Sequence, residues 1–200
     1  MNGLELCAKI KNNIEYSHIP VILLTAKVLP EAKVEGFSYG ADAYVEKPFT
    51  ILQLHMQIRN LLKLRTTFQQ HMTSFLPDAK PEEKEEEETG IQLTPQDQEF
   101  IKKMQEIIEQ QLADESFSID TLAAEMNMSR SNFYRKLKAL SGMPPNDYLK
   151  NCRLNKAAQL LKEGYRVTEV FERTGFGSSS YFAKCFKAKF GVLPKDYISN

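Results

Sequence analysis

From Met1 to Arg65 the chain alternates helix-spaced apolar residues with short continuous apolar runs. Leu4, Leu6, Cys7, Ile10 and Ile14 fall at helical spacing. After the Ser17-His18-Ile19-Pro20 break, Val21-Ile22-Leu23-Leu24-Thr25-Ala26 is apolar and partly β-branched, which predicts a buried strand. Pro30 to Tyr39 predicts a helix closed by Gly40. Ala43-Tyr44-Val45 predicts a second short strand, ended by Lys47-Pro48-Phe49. Ile51 to Arg65 predicts an amphipathic helix with Leu54, Ile58, Leu61 and Leu62 on one side. Strands alternating with helices imply a parallel α/β layer. The next stretch, residues 66–90, centres on Pro77-Asp78-Ala79-Lys80-Pro81-Glu82-Glu83-Lys84-Glu85-Glu86-Glu87-Glu88, which has no periodic apolar face and repels itself. It cannot offset its ordering entropy by burial, so it predicts an acidic flexible linker. Its carboxylates lack the spaced turn that would aim them at one metal ion. From Ile91 to Asn200 the pattern is almost entirely helical, with turns marked by Gly and Pro. The expected fold class is mostly α, an all-α domain at 91–200 after a partial α/β segment at 1–65.

The helical part resembles itself. Leu122-Ala123-Ala124-Glu125-Met126-Asn127-Met128 lines up 48 residues before Val170-Phe171-Glu172-Arg173-Thr174-Gly175-Phe176, and after a one-residue insertion the offset becomes 49. Phe133 then meets Phe182, Arg135 meets Lys184, Leu137 meets Phe186, Lys138 meets Lys187 and Gly142 meets Gly191. Pro145-Asn146-Asp147-Tyr148 answers Pro194-Lys195-Asp196-Tyr197. Two copies suggest a duplicated functional unit, each reading as helix, tight turn, helix. In the first, Ile119, or Asp120 as a cap, opens a helix ending near Met126; Asn127 suits left-handed geometry and Ser129 caps the next helix. In the second, Gly175 turns the chain and Ser178 is the expected cap.

The second helix of each pair divides its residues by face. Phe133, Leu137 and Leu140 point inward in the first, leaving Ser129, Arg130, Ser131, Tyr134, Arg135 and Lys138 as candidate DNA contacts. Phe182, Phe186 and Phe190 point inward in the second, leaving Ser178, Ser179, Ser180, Ala183, Lys184 and Lys187 outward, with the serines and lysines as its candidate contacts. Between the copies, Asp147 to Lys162 predicts a long helix that holds the two units apart. If both reading helices enter one face of a duplex, their sites lie about 34–36 Å apart. Arg153 on the joining helix either binds phosphate or braces the two lobes.

Charge sharpens this picture. The chain is neutral overall, with 26 Lys and Arg against 26 Asp and Glu, but residues 129–200 carry 14 against 5. Positive charge is thus concentrated where a phosphate backbone would use it. A hydrophobic share of 42% suits a soluble globular protein. No run of apolar residues is long enough to predict a membrane span, and the N-terminus lacks a secretory pattern. Cys7, Cys152 and Cys185 are widely spaced and odd in number, so a reducing cytoplasm is the expected setting.

The third segment resembles the AraC/XylS family of transcription regulators. The first unit carries Leu122-Ala123, Met128-Ser129-Arg130-Ser131, Tyr134-Arg135-Lys136-Leu137-Lys138 and Gly142. The joining helix carries Arg153-Leu154-Asn155-Lys156-Ala157 and Leu160-Leu161; the second unit carries Gly175-Phe176, Ser180-Tyr181-Phe182, Phe186-Lys187, Phe190-Gly191 and Pro194. Phe171 departs from the small Ala usual in the family. The first segment resembles the latter part of a response-regulator receiver domain, a flavodoxin-like fold. Thr25-Ala26 looks like the switch threonine position, Tyr44 the switch aromatic, and Lys47-Pro48-Phe49 the phosphate-binding lysine with its often cis proline. On this resemblance the phosphoacceptor aspartate and the acidic metal-binding pair belong before Met1 and are absent, and Asp42, at the start of the last strand, is no substitute. The segment is expected to be a truncated receiver that cannot accept phosphate, with an exposed sheet edge prone to swapping between chains. Met1 is expected to be a cut or mis-assigned start.

A receiver joined to an AraC-type module resembles the tail of hybrid two-component sensors, whose longer chain can be membrane-anchored and whose trigger is often a carbohydrate. The resemblance implies a sequence-specific transcription regulator acting on double-stranded promoter DNA, with RNA polymerase and a second copy of the receiver segment as further partners. No membrane contact is expected of this segment. An enzyme, a cofactor or a metal site is not expected: His18, His55 and His71 pair with no Cys or carboxylate at ligand spacing, and no glycine-rich phosphate loop or nucleophile elbow occurs. The alternative is a protein-interaction module, in which the receiver segment dimerises and the helical domain contacts a protein.

Overall fold

The computed structural model describes residues 1–26, 38–74 and 93–199. Nearly all of the predicted helix from Pro30, the acidic stretch Pro77 to Glu88, and Ile91 lie outside the described residues. Contacts divide the chain into two compact units, residues 1–70 with 85–102 and residues 71–84 with 103–200.

In the first unit, α1 spans Gly3–Lys11 and opens on a reciprocal cap: the Asn2 side chain accepts from the Glu5 amide (2.8 Å) and the Glu5 carboxylate accepts from the Asn2 amide (3.1 Å). The helix stops before Asn12-Asn13, where the Asn13 side chain accepts from the Glu15 amide at 2.8 Å and turns the chain. Ile14 therefore falls beyond the helix, and it and Leu6 are exposed, while Cys7 is buried. Strands β1 (Ile22–Thr25) and β2 (Ala43–Glu46) pair in parallel, in register from Ile22 opposite Ala43 to Thr25 opposite Glu46. The expected parallel layer is there, but β1 is shorter than the apolar run that signals it and is half-buried rather than buried, with Leu24 exposed. Lys11 is buried yet satisfied: its Nζ lies 2.6 Å from the Asp42 carboxylate and donates to the carbonyls of Ser17 (3.3 Å) and Ile19 (3.0 Å). Asp42 also accepts from the Val21 amide at 2.6 Å, so this pair ties α1 to the start of both strands.

Helix α2 (Ile51–Ser74) continues past Arg65, where the sequence pattern was expected to end it. No Gly or Pro interrupts the chain there, and Thr66 and Thr67 return their hydroxyls to the carbonyls of Leu62 and Lys63 one turn back. Its half-buried side passes through Leu54, Gln57, Leu61 and Leu64, which leaves Ile58 and Leu62 exposed. Helix α3 (Pro95–Gln111) is opened by Thr94, whose hydroxyl accepts from the Asp97 amide at 3.2 Å. Phe100, Met104, Ile107 and Ile108 are buried along it at helical spacing.

The second unit continues with α4 (Ile119–Glu125), α5 (Arg130–Ser141), α6 (Pro145–Lys162), α7 (Val167–Glu172), α8 (Ser179–Phe190) and a closing 3-10 turn at Pro194–Ser199. Helix α4 opens at Ile119 as expected, and its cap is Ser118 rather than Asp120, with the Ser118 hydroxyl accepting from the Thr121 amide at 3.3 Å. Ser129 and Ser178 cap α5 and α8 as expected, accepting from the amides of Asn132 (3.2 Å) and Tyr181 (3.4 Å). Both helices end on glycine in left-handed geometry, Gly142 at φ 74 and Gly191 at φ 81. Ser129→Ala is expected to lower stability by ~1 kcal/mol, because it orphans an amide in the first turn of α5, and a urea melt of the full chain would read this.

Helix α6 buries Tyr148, Leu149 and Cys152 near its start and Leu154, Ala157, Ala158, Leu160 and Leu161 further along. A helix apolar on more than one face is a central element. Its second half joins Val170, Phe176, Phe182 and Phe186 in the core of the second helix-turn-helix.

Candidate nucleic-acid interface

Each helix-turn-helix is closed by one residue in left-handed conformation, Asn127 at φ 54 in the first and Gly175 at φ 65 in the second. That turn sets the angle at which α5 follows α4 and α8 follows α7. On α5, Phe133, Leu137 and Leu140 are buried, and Ser129, Arg130, Ser131, Arg135 and Lys138 are exposed. Tyr134 is half-buried at the edge of this face. Lys136 is fully buried, so the basic run 135–138 offers solvent two cations and not three. The exposed groups are not all loose. The Ser129 hydroxyl is committed to its cap, the Arg135 guanidinium donates through Nη2 to the Asn132 side chain, and Arg130 Nε lies 3.0 Å from the Asp120 carboxylate on α4. Sequence reasoning did not single out Asp120 or Asn132 as partners of these arginines.

On α8, Phe182 and Phe186 are buried and Phe190 half-buried, and Ser178, Ser179, Ser180, Lys184 and Lys187 are exposed. Ala183, expected outward, is half-buried: with Val167, Phe171, Leu193 and Pro194 it lines an apolar cleft of about 300 Å³. Phe171 packs its ring 6.3 Å from that of Phe182, so its bulk is absorbed into the aromatic core and the wall of this cleft. Tyr181 is also exposed on α8, and nothing in its spacing had separated it from the neighbouring serines.

Arg153 reaches backward. Its Nη2 donates to the carbonyls of Asp114 (2.9 Å) and Phe117 (3.0 Å) in the loop between α3 and α4, and burial lowers its pKa while Asp114 and Glu115 oppose the shift. The same loop approaches Gly175: a Cβ built there would lie 2.4 Å from the Leu112 carbonyl, 3.0 Å from that of Asp114 and 3.1 Å from Arg153 Nε. Lys189, at the far end of α8, donates to the carbonyl (3.4 Å) and side-chain oxygen (3.2 Å) of Asn151 on α6. Cys152 is buried beneath, and burial pushes its thiol up to about 12.

In the first unit, two of the expected switch positions, Thr25 and Lys47, meet at the end of the strands, and the third, Tyr44, does not join them. The Lys47 amide donates to the Thr25 carbonyl at 2.7 Å, Tyr44 lies half-buried in mid-β2, and the Lys47–Pro48 peptide is cis. Asp42 is engaged by Lys11 and the Val21 amide at the opposite end of β2.

Two family models match this chain: the response regulator receiver domain over residues 1–59 and a helix-turn-helix domain over residues 122–200. The chain is a response-regulator receiver segment followed by an AraC-type helix-turn-helix domain. It is 35% identical over 198 residues to a protein named histidine kinase P4 of Formosa agariphila, covering 98% of this chain and 14% of that protein. It is 32% identical over 117 residues to the HTH-type transcriptional regulator MtrA of Neisseria gonorrhoeae, covering 58% of this chain and 38% of that one. The chain therefore spans well under half the length of either relative. The C-terminal domain of the two-component response regulator yesN from Fusobacterium nucleatum is 30% identical, with 50% of this chain and 98% of that chain covered and a TM-score of 0.47. Among the described residues no helix is long and apolar enough to cross a membrane.

Proposed function

We propose that the second unit binds double-stranded promoter DNA in a sequence-specific way and is the transcription-regulating output of a two-component system. The observation that supports this most is the duplication itself. Two serine-capped helices, α5 and α8, each follow a left-handed turn and present exposed polar and basic groups away from a buried aromatic or aliphatic stripe. In this reading Arg130, Ser131, Tyr134, Arg135 and Lys138 form the more discriminating surface, because guanidinium groups match guanine edges. Ser179, Ser180, Lys184 and Lys187 position the second unit on the backbone. Arg153 serves as a brace, since its guanidinium is already donated to two carbonyls.

The chain on this reading works in the cytoplasm, is not itself an enzyme and acts on transcription through RNA polymerase. The kinase name belongs to a relative of which this chain spans 14%. Pairing of receiver segments is supported by apolar residues left exposed on β1 and α2, namely Leu24, Ile51, Leu52 and Met56.

The test is a gel shift of the full chain on its native promoter and on random duplex across a salt series. Specific retention whose affinity falls with a log–log salt slope of roughly −0.9 per phosphate contact is expected. No binding to either duplex at low salt would favour the protein-interaction reading instead. Arg135→Ala is expected to lower discrimination between promoter and random DNA by about 1–3 kcal/mol. An equal loss on both would make Arg135 a phosphate contact.

A further inference from the structure

One ion pair in the first helix-turn-helix joins the supporting helix to the reading helix. Asp120 stands in the first turn of α4 and Arg130 is the first residue of α5, with Nε 3.0 Å from Oδ1. Both side chains are mostly exposed, at 58% and 73%. An exposed pair contributes little to folding, so holding the fold together does not account for it.

Its geometry bears on recognition. The carboxylate occupies the Nε side of the guanidinium, which leaves donors on both Nη atoms at the far end. That end is the fork that matches O6 and N7 of guanine in the major groove. An arginine with no partner at this position would settle on any phosphate within reach, which positions a protein without reading sequence. Asp120 opposes that outcome twice, by cancelling the cation's charge and by repelling the phosphate itself. The pair also strengthens when a duplex excludes water from it. Arg135 is held differently: its partner Asn132 is a neutral amide, which orients the guanidinium without cancelling its charge. Among the described residues Lys184 and Lys187 of α8 show no ion pair at all.

We propose that Asp120 is a positioning residue that holds Arg130 end-on for a guanine in the half-site read by the first unit. This rests on the DNA-binding reading above and adds a specific base and a residue that selects it.

The experiment is selection of bound duplexes from a randomised library of about 25 base pairs, long enough for two half-sites a helical turn apart. The full chain would be compared with Arg130→Ala, Asp120→Asn and Asp120→Glu, each checked by thermal melt. The unaltered chain should enrich guanine at one position by roughly tenfold, and Arg130→Ala should abolish that enrichment alone. Asp120→Asn, nearly isosteric and without charge, should reduce the same enrichment about threefold while retention on unselected duplex at low salt rises, and Asp120→Glu should restore part of it. Full guanine enrichment in the Asp120→Asn pool, or a loss spread evenly over all positions, would overturn the inference and leave DNA binding intact. Failure of the unaltered chain to retain any duplex would instead overturn the DNA-binding reading on which it stands.

Discussion

Gly175→Ala is expected to destabilise the second unit by about 2–4 kcal/mol, read as a lowered denaturant midpoint with an unchanged slope. Two costs act together at this position. The backbone sits at φ 65, where a Cβ crowds the following carbonyl at a cost of roughly 1–2 kcal/mol. The new methyl would also lie 2.4 Å from the Leu112 carbonyl and 3.0 Å from that of Asp114, and backbone groups cannot swing aside.

Three other positions show which cost dominates. Gly191 has a similar φ of 81 with nothing within 4 Å, so alanine there should cost only the conformational part, about 1 kcal/mol. A methyl on Gly177 meets Glu115 Oε1 at 2.2 Å, but that is the end of a flexible side chain, and the change should fall within about 0.5 kcal/mol. Asn127 occupies the matching turn of the first unit at φ 54, so left-handed geometry alone tolerates a side chain there. Gly175→Asn should therefore fail nearly as badly as alanine. If asparagine is accepted at 175, the wall built by the 112–114 carbonyls and Arg153 is not what fixes glycine there.

That contrast marks where sequence was sufficient and where it was not. The repeat, the two serine caps, the left-handed residues at 127 and 175 and the inward Phe133, Leu137, Phe182 and Phe186 were all legible, because each depends on neighbours within one or two helical turns. What was not legible depends on partners far away in the chain. Arg153 donates to carbonyls 36 and 39 residues earlier, and spacing alone left its role open between phosphate and brace. Asp120 meets Arg130 only because the turn folds α5 back beside α4. Lys11 and Lys136 look like ordinary surface lysines in the sequence and are buried in the fold. Ser118 took the cap from Asp120 for a local reason: its oxygen reaches the Thr121 amide, and Asp120 is left free to face Arg130.

Phe186→Ala is expected to cost about 3–5 kcal/mol and to disable the second unit on DNA. Phe186 is fully buried and stands at the centre of an aromatic chain, its centroid 5.7 Å from Phe182, 4.5 Å from Phe190 and 5.2 Å from Tyr197, the last in edge-to-face geometry. These rings fix α8 against the second half of α6 and against the closing 3-10 turn. Truncation leaves a cavity that Leu154, Leu161 and Val170 cannot fill without moving α8. Phe186→Leu retains much of the volume and should cost only about 1–1.5 kcal/mol. Because α5 draws on Phe133, Leu137 and Leu140 rather than on this aromatic chain, a loosened α8 should leave the first unit's base preferences in place while overall affinity falls. A library selection with Phe186→Ala that keeps one half-site and loses the other would match this division. Loss of both together would mean that the two reading helices fold as one cooperative unit and that α6 transmits the damage between them.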